Sequence, residues 1–331
     1  MVVIMDVSVI LVSYNEREYL DGAIKNCLDQ DFDGDMEIII GDDGSNDGSI
    51  DVIESLEKEY PNIVRHYVME RGEGPFIPSI RLSNLIKRGL ELAKGKYITI
   101  ISADDRMLSN QKISKAYSFL EKDHNKKYSG VFSDYIISFL DGEVLEMKAK
   151  FPAFRPLLLA KNYLHASTFV FRREVYTGGY LNDRFCDDVG LIYSIYCAGK
   201  VKHFDDVTFE YKKRKGSIMT LMDYTDVEVM EMALFQDIYN KNKYRFSSLS
   251  AYYVPLVSIF KQRKTIDKNK YKLILNDNQK YKNDFLSMIF DYDTHTLSDK
   301  LKLRMIICTA KVSSSVFGLL RRVLTKFYKR G

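Results

Sequence analysis

Residues 37–48 read Glu37-Ile38-Ile39-Ile40-Gly41-Asp42-Asp43-Gly44-Ser45-Asn46-Asp47-Gly48, a β-branched apolar run that stops at Gly, Asp, Ser and Asn. Such a run is a strand buried on both faces, and the stop is a turn at its carboxyl end. On its N-terminal side, Leu20, Ala23, Ile24, Cys27 and Leu28 repeat at helical spacing, and before them Val7 to Ser13 is a second buried run that ends at Tyr14-Asn15. On its C-terminal side, a helix with Ile50, Ile53 and Leu56 stops at Tyr60-Pro61, and Ile63 to Met69 forms a third strand. A helix carrying Leu82, Leu85, Ile86 and Leu90 then leads to the strand Tyr97 to Ile101, which runs into Ser102-Ala103-Asp104-Asp105. This alternation predicts an α/β fold, with an open, mostly parallel sheet, right-handed crossovers and flanking helices.

The order changes after residue 120. Val131 to Leu140 and Glu143 to Lys148 read as a hairpin around Asp141-Gly142. Ser167 to Phe171 reads as a strand, Asp187 to Ala198 as a helix and Val207 to Lys212 as a last strand. Beyond Leu221 helical spacing prevails without Gly-rich loops, so the expected division is a domain over residues 1–219 and a helical C-terminal region over 220–331.

Composition narrows the function classes. Of 331 residues, 46% are apolar and 28% charged, which excludes a disordered chain. Lys and Arg number 49 against 45 Asp and Glu, but 8 of the basic residues and none of the acidic ones fall in 301–331. The preceding body is therefore net acidic, which argues against a nucleic-acid partner. Cys27, Cys186, Cys197 and Cys308 are far apart and lack metal spacing, as in a reducing compartment. The N-terminal apolar run lacks a basic leader and no stretch is long enough to span a bilayer, so the expected location is cytoplasmic.

In a parallel sheet, ligands bind beyond the carboxyl ends of the strands. Three polar clusters are expected there: Tyr14-Asn15, Asp42-Asp43-Gly44-Ser45 and Ser102-Ala103-Asp104-Asp105. Each alone is an ordinary turn or helix cap. Together they bring four carboxylates to one edge, where they repel one another unless a cation or a donor-rich ligand neutralises them; oxygen donors suit Mg²⁺ or Mn²⁺ bridging a diphosphate.

From about Asp6 to Met219 the chain resembles the family 2 inverting glycosyltransferases of GT-A fold. The opening strand Val7 to Asn15, the stretch from Glu37 to Gly48, Gly95 to Asp105, and the segments Thr168 to Arg173, Gly178-Gly179-Tyr180 and Cys186-Asp187-Asp188 are similar to the family's motifs in order. The resemblance implies that Val12 and Tyr14 line the nucleotide base, with Asp43 reading the uracil imide and Asp42 nearby. It implies Asp104 as the metal ligand of a DxD-like motif, Mn²⁺ or Mg²⁺ as cofactor, and Asp105 as support for metal or ribose. Asp188 matches the general base, with Asp187 beside it, and Tyr211 to Ser217 resembles the segment that closes over the diphosphate. Two departures stand out. Ser102 replaces the first Asp of the DxD, and Arg214 stands where a His is common, placing a fixed cation near the diphosphate. Arg81, Lys87 and Arg88 are alternative phosphate contacts.

The implied activity is sugar transfer from a nucleotide-sugar donor, a UDP-sugar, to a saccharide or lipid-linked acceptor in surface polysaccharide assembly. The rival reading, motivated by Ser102, is a catalytically silent nucleotide-binding subunit of a glycan-assembly complex. Helical spacing over 303–329 puts Arg304, Lys311, Arg322, Lys326 and Lys329 on one side and Leu303, Ile306, Phe317, Leu320, Val323, Leu324 and Phe327 on the other. A basic amphipathic helix suits peripheral contact with the inner face of an anionic membrane, and equally a helix packed on its own domain.

Overall fold

The structure, a computed structural model, describes residues 5–71, 78–148, 164–177, 188–215, 259–261 and, within 296–315, all but 299, 302, 313 and 314. The chain forms two compact units, one of residues 1–151 with 163–221, the other of 152–162 with 222–331.

The first unit is built on β1 (Val7–Ser13), β2 (Met36–Asp42), β3 (Val64–Val68) and β4 (Tyr97–Ser102), connected by α1 (Arg17–Leu28), α2 (Ser49–Glu59) and α3 (Pro78–Leu92). β3, β2, β1 and β4 lie side by side and parallel. The side chains of β1, β2 and β4 alternate between two covered faces, which is why these strands read as nearly continuous apolar runs, whereas the edge strand β3 is partly exposed and carries Arg65 and His66. Val9, Leu11, Ile38 and Ile40 pack with Leu20 and Ile24 of α1 and Ile53 and Leu56 of α2. On the opposite face, α3 comes so near that a Cβ on Gly89 would lie 2.6 Å from Ile10 Cγ2. Glu37, inside the apolar run, is satisfied: it accepts from Ser8 Oγ at 2.6 Å and pairs with Arg65 at 2.8 Å.

The sheet continues through β5 (Arg106–Met107), β6 (Tyr128–Ser138), β7 (Val144–Met147), β8 (Val170–Arg172) and β9 (Lys200–Lys212), with α4 (Lys112–Leu120), α5 (Glu174–Thr177) and α6 (Asp188–Ala198). Its order is β3-β2-β1-β4-β8-β6-β9-β5, with β7 paired to β6. This mixed sheet with flanking helices is of GT-A type; β8 runs antiparallel to β4 and β5 antiparallel to β9, a change of direction that the local patterns do not encode.

Two strand readings are corrected. Residues 166–168 form a 3-10 turn, because the His165 carbonyl accepts the Thr168 amide at 3.0 Å and its hydroxyl at 2.7 Å, and the strand begins only at Val170. β9 starts at Lys200, seven residues before the expected Val207, because it follows β6 across bulges that break the period-two pattern.

In the second unit, residues 259–261 and most of 297–312 are helical. Leu303 and Ala310 are buried, whereas Leu297, Leu301, Met305 and Val312 are exposed. At 100° per residue the exposed four form one stripe, opposite Leu303 and Ala310 and flanked by exposed Arg304 and Lys311. Of the expected apolar face, Leu303 is buried and Ile306 half-buried; Phe317, Leu320, Arg322, Val323, Leu324, Lys326, Phe327 and Lys329 lie outside the described residues. Among the described residues no helix is long and apolar enough to cross a membrane.

Candidate active site

The carboxyl ends of β1, β2 and β4 are level, because Ser13 pairs with Asp42 and Val12 with Ser102. The polar clusters therefore meet at one edge. Two loops there are sewn together: the Asn15 amide donates to Ser45 Oγ at 2.8 Å, the Glu16 amide to Ser49 Oγ at 3.1 Å and the Arg17 amide to Asp47 Oδ2 at 3.1 Å. Asn15 takes a positive φ of 51°, which lets its Oδ1 accept the Asn46 amide at 3.0 Å.

The adjacent carboxylates of Asp42 and Asp43 have different employment. Asp42 is fully buried and accepts the Ser45 amide at 2.7 Å and the Ser45 hydroxyl at 2.6 Å, so its carboxylate closes the turn. Burial raises its proton affinity, against those hydrogen bonds. Asp43 instead lies between two guanidiniums. Arg81 reaches Oδ1 through Nε at 2.8 Å, and Arg71 reaches Oδ2 at 3.1 Å while lying 3.7 Å above the Tyr14 ring centroid. Of the three alternatives Arg81, Lys87 and Arg88, it is thus Arg81 that joins this cluster; Arg88 pairs with Glu91 in solvent.

The DxD-like segment sits on the turn after β4. Asp105 Oδ1 accepts the Lys212 amide at 3.1 Å, tying this turn to the end of β9. Two residues further on, Arg214 donates from Nε to Asp104 Oδ2 at 2.6 Å and from its other arm to Glu16 Oε1. Glu16 and Asp104 are 5% and 7% exposed, so three chain segments converge on a nearly buried ion triad. Burial pushes the Glu16 carboxyl up to about 8, the nearby Asp104 charge adds to the rise, and Arg214 opposes it. Glu16 Oε2 is buried with no hydrogen-bond partner among the described residues. The expected repulsion among edge carboxylates is therefore relieved in this structure by the chain's own arginines, Arg71 and Arg81 at Asp43 and Arg214 at Asp104.

On the other side of β4, the Lys112 amine is buried in α4, donating to the Ser167 carbonyl and lying 3.4 Å from Thr99 Oγ1. It holds the 3-10 turn that follows His165, whose ring lies 5.0 Å from both Phe209 and Tyr211. His203 pairs with Asp134 at 2.7 Å, a structural use. Asp188 opens α6, while Asp187, Gly178-Gly179-Tyr180 and residues 216–217 lie outside the described residues. Among the described residues no three His, Cys, Asp or Glu side chains converge as a metal cage.

Sequence reasoning singled out Val12, Tyr14, Asp42, Asp43, Ser102, Asp104, Asp105 and Arg214, and all of them lie at this edge. It missed Glu16, Arg71 and Lys112. Glu16 was open to the strand-end rule that found Tyr14, since it follows Asn15; the other two carried no local signal.

A GT-A sheet with its polar clusters at the ends of β1, β2 and β4 is the framework of a nucleotide-sugar glycosyltransferase. The chain matches the Glycosyl transferase family 2 over residues 8–178, more than half its length, and belongs to that family. It is 32% identical over 130 residues to the GalNAc(5)-diNAcBac-PP-undecaprenol beta-1,3-glucosyltransferase of Campylobacter jejuni, covering 39% of this chain and 38% of that protein. It is 30% identical over 140 residues to the putative teichuronic acid biosynthesis glycosyltransferase TuaG of Bacillus subtilis, covering 42% of this chain and 50% of TuaG. The chain thus spans half or less of the length of these two relatives. Its fold is similar to that of S. aureus TarS 1-349, crystallised with UDP-GlcNAc, with a TM-score of 0.59 at 16% identity over 99% of this chain and 92% of TarS 1-349.

Proposed function

We propose that this chain transfers a sugar from a UDP-sugar to a saccharide or lipid-linked acceptor of a surface polysaccharide, with inversion at the anomeric carbon. The observation that carries the donor reading is Asp43 held between Arg71 and Arg81 beside Tyr14. An acceptor flanked by two donors is the complement of the uracil imide, whose edge runs acceptor, donor, acceptor. Guanine presents acceptor, donor, donor, and cytosine donor, acceptor, acceptor, so neither matches all three positions.

Displacement at an anomeric carbon passes through an oxocarbenium-like state and needs the leaving diphosphate neutralised and the attacking hydroxyl deprotonated on the opposite face. Asp104 suits a divalent cation, since Mg²⁺ and Mn²⁺ take one or two carboxylates and complete their shell with phosphate oxygens and water. When bound, such a cation supplies positive charge to the departing diphosphate. Arg214 adds a fixed charge at the same edge, and Ser102, in place of a carboxylate, leaves the site with less negative charge to offset. In this reading Asp188, at the start of α6, takes the proton of the acceptor hydroxyl. Val12 and Tyr14 flank the base, Asp42 keeps the Asp43 loop in shape, and Asp105 keeps the end of β9 in place.

The lipid-linked alternative for the acceptor draws on the undecaprenol-linked substrate named for the Campylobacter relative and on the exposed stripe Leu297, Leu301, Met305, Val312 beside Arg304 and Lys311. A nucleotide-sugar hydrolysis screen with and without Mn²⁺ tests the reading. UDP-sugar turnover is the expected result, and absence of turnover with every donor and acceptor would favour the silent nucleotide-binding subunit.

A further inference from the structure

Glu16 breaks a local rule. It occupies the N-cap of α1, where a short side chain usually accepts a helix amide, yet it makes no capping bond. Its backbone is held between anchored neighbours, and its carboxylate turns instead to Arg214. One guanidinium there serves two carboxyl groups, Glu16 and Asp104, and Glu16 Oε2 is left buried without a donor among the described residues. A buried carboxylate oxygen with no partner among the described residues, in a loop whose backbone is anchored on both sides, is a place for a ligand or ion. Departures from local sequence rules of this sort concentrate at functional sites.

We propose that Glu16 is a second protein ligand of the divalent cation that accompanies the donor diphosphate, supplying the carboxylate that Ser102 does not, and that Arg214 holds the cation's place in the nucleotide-free chain. The proposal rests on the donor reading above, and it adds a ligand from the β1–α1 loop that no DxD pattern contains. Two carboxylates with phosphate oxygens meet the usual demand of Mg²⁺ or Mn²⁺. The cation brings two charges to this pair of carboxyl groups where Arg214 brings one. The released guanidinium is a planar fork suited to phosphate oxygens.

The test measures Mn²⁺ affinity from the free-ion paramagnetic resonance signal and UDP affinity by calorimetry, on the full chain. At saturating UDP, Glu16→Gln is expected to weaken Mn²⁺ binding by roughly tenfold or more, at least the loss seen when a supporting group of a metal site is removed. Without nucleotide, Arg214→Met is expected to strengthen Mn²⁺ binding, because the competing cation is gone, and the gain should vanish in the Arg214→Met/Glu16→Gln double variant. A Glu16 that only pairs with Arg214 predicts no loss in Glu16→Gln and a gain that survives in the double variant. Wild-type Mn²⁺ affinity in Glu16→Gln overturns the proposal, as does an Arg214→Met chain without a gain. If Glu16→Gln fails to fold, Glu16→Asp, which keeps the charge and shortens the reach, decides: weakened Mn²⁺ binding at saturating UDP is expected, and wild-type affinity overturns the proposal. Loss of Mn²⁺-dependent UDP binding in Asp104→Asn with Glu16→Gln unaffected defeats Glu16 and leaves the donor reading standing. A wild-type chain that binds no UDP with Mn²⁺ defeats both.

Discussion

Arg214 Nε lies 2.6 Å from Asp104 Oδ2, a contact between the turn after β4 and the segment after β9, 110 residues apart in the chain. It joins the candidate cation ligand to the segment that closes over the diphosphate in the proposed reaction. Asp104→Ala is expected to abolish transfer and the Mn²⁺-dependent part of UDP binding. Calorimetry with and without Mn²⁺ checks this; an unchanged affinity would move the cation elsewhere.

For the base, Asp188→Asn preserves shape and removes the proton acceptor. Turnover should fall by roughly 10² or more while donor affinity changes little. Near-wild-type turnover would transfer the role to Asp187 or to another group.

At the nucleotide edge, Asp43→Ala removes a charged hydrogen-bond acceptor and its ion pairs with Arg71 and Arg81. The loss of a hydrogen bond to a charged group is worth about 1.5–3 kcal/mol, or roughly 10- to 150-fold in UDP affinity. CDP binding, which lacks the imide N–H, should change much less, and equal losses for both nucleotides would sink the base-reading role.

Lys112 gives a pH signature. Burial pulls its amine down from the usual 10.5 to about 7, while the neighbouring Cys27 thiol, itself pushed up to about 12 by burial, stays neutral over that range. Between these values the unfolded chain holds more protons on this group than the folded one, so its contribution to stability rises with pH, by at most about 1.4 kcal/mol per unit. Lys112→Met removes that slope. Denaturation curves should show wild type gaining on the variant from pH 7 to about 10; parallel pH profiles would contradict the burial.

The exposed stripe of the second unit predicts salt-sensitive binding to anionic vesicles, with Leu301→Ser/Met305→Ser reducing flotation and neutral vesicles binding less. Both substituted positions are exposed, so the fold should survive the change. Intact protein that stays free of anionic vesicles at low salt would favour a soluble acceptor.

Much of this molecule is local. The runs at Val7, Glu37 and Tyr97 determine their strands because burial on both faces admits little but apolar, β-branched residues, and the Gly-Asp-Asn-Ser stops mark strand ends because only such residues turn the chain there. The strand-end rule then brings Asp43, Asp104 and Tyr14 to one edge without any coordinates. Tertiary structure decided the rest. Nothing near Asp42 or Asp43 says that one carboxylate closes a turn on Ser45 while its neighbour faces Arg71 and Arg81, because those arginines arrive from a distant loop and helix. The insertion of β8 antiparallel beside β4, and the return of β9 that delivers Arg214 to Asp104 and Glu16, depend on pairings between segments about 70 to 200 residues apart, whose partners are chosen by packing and whose register no local pattern records.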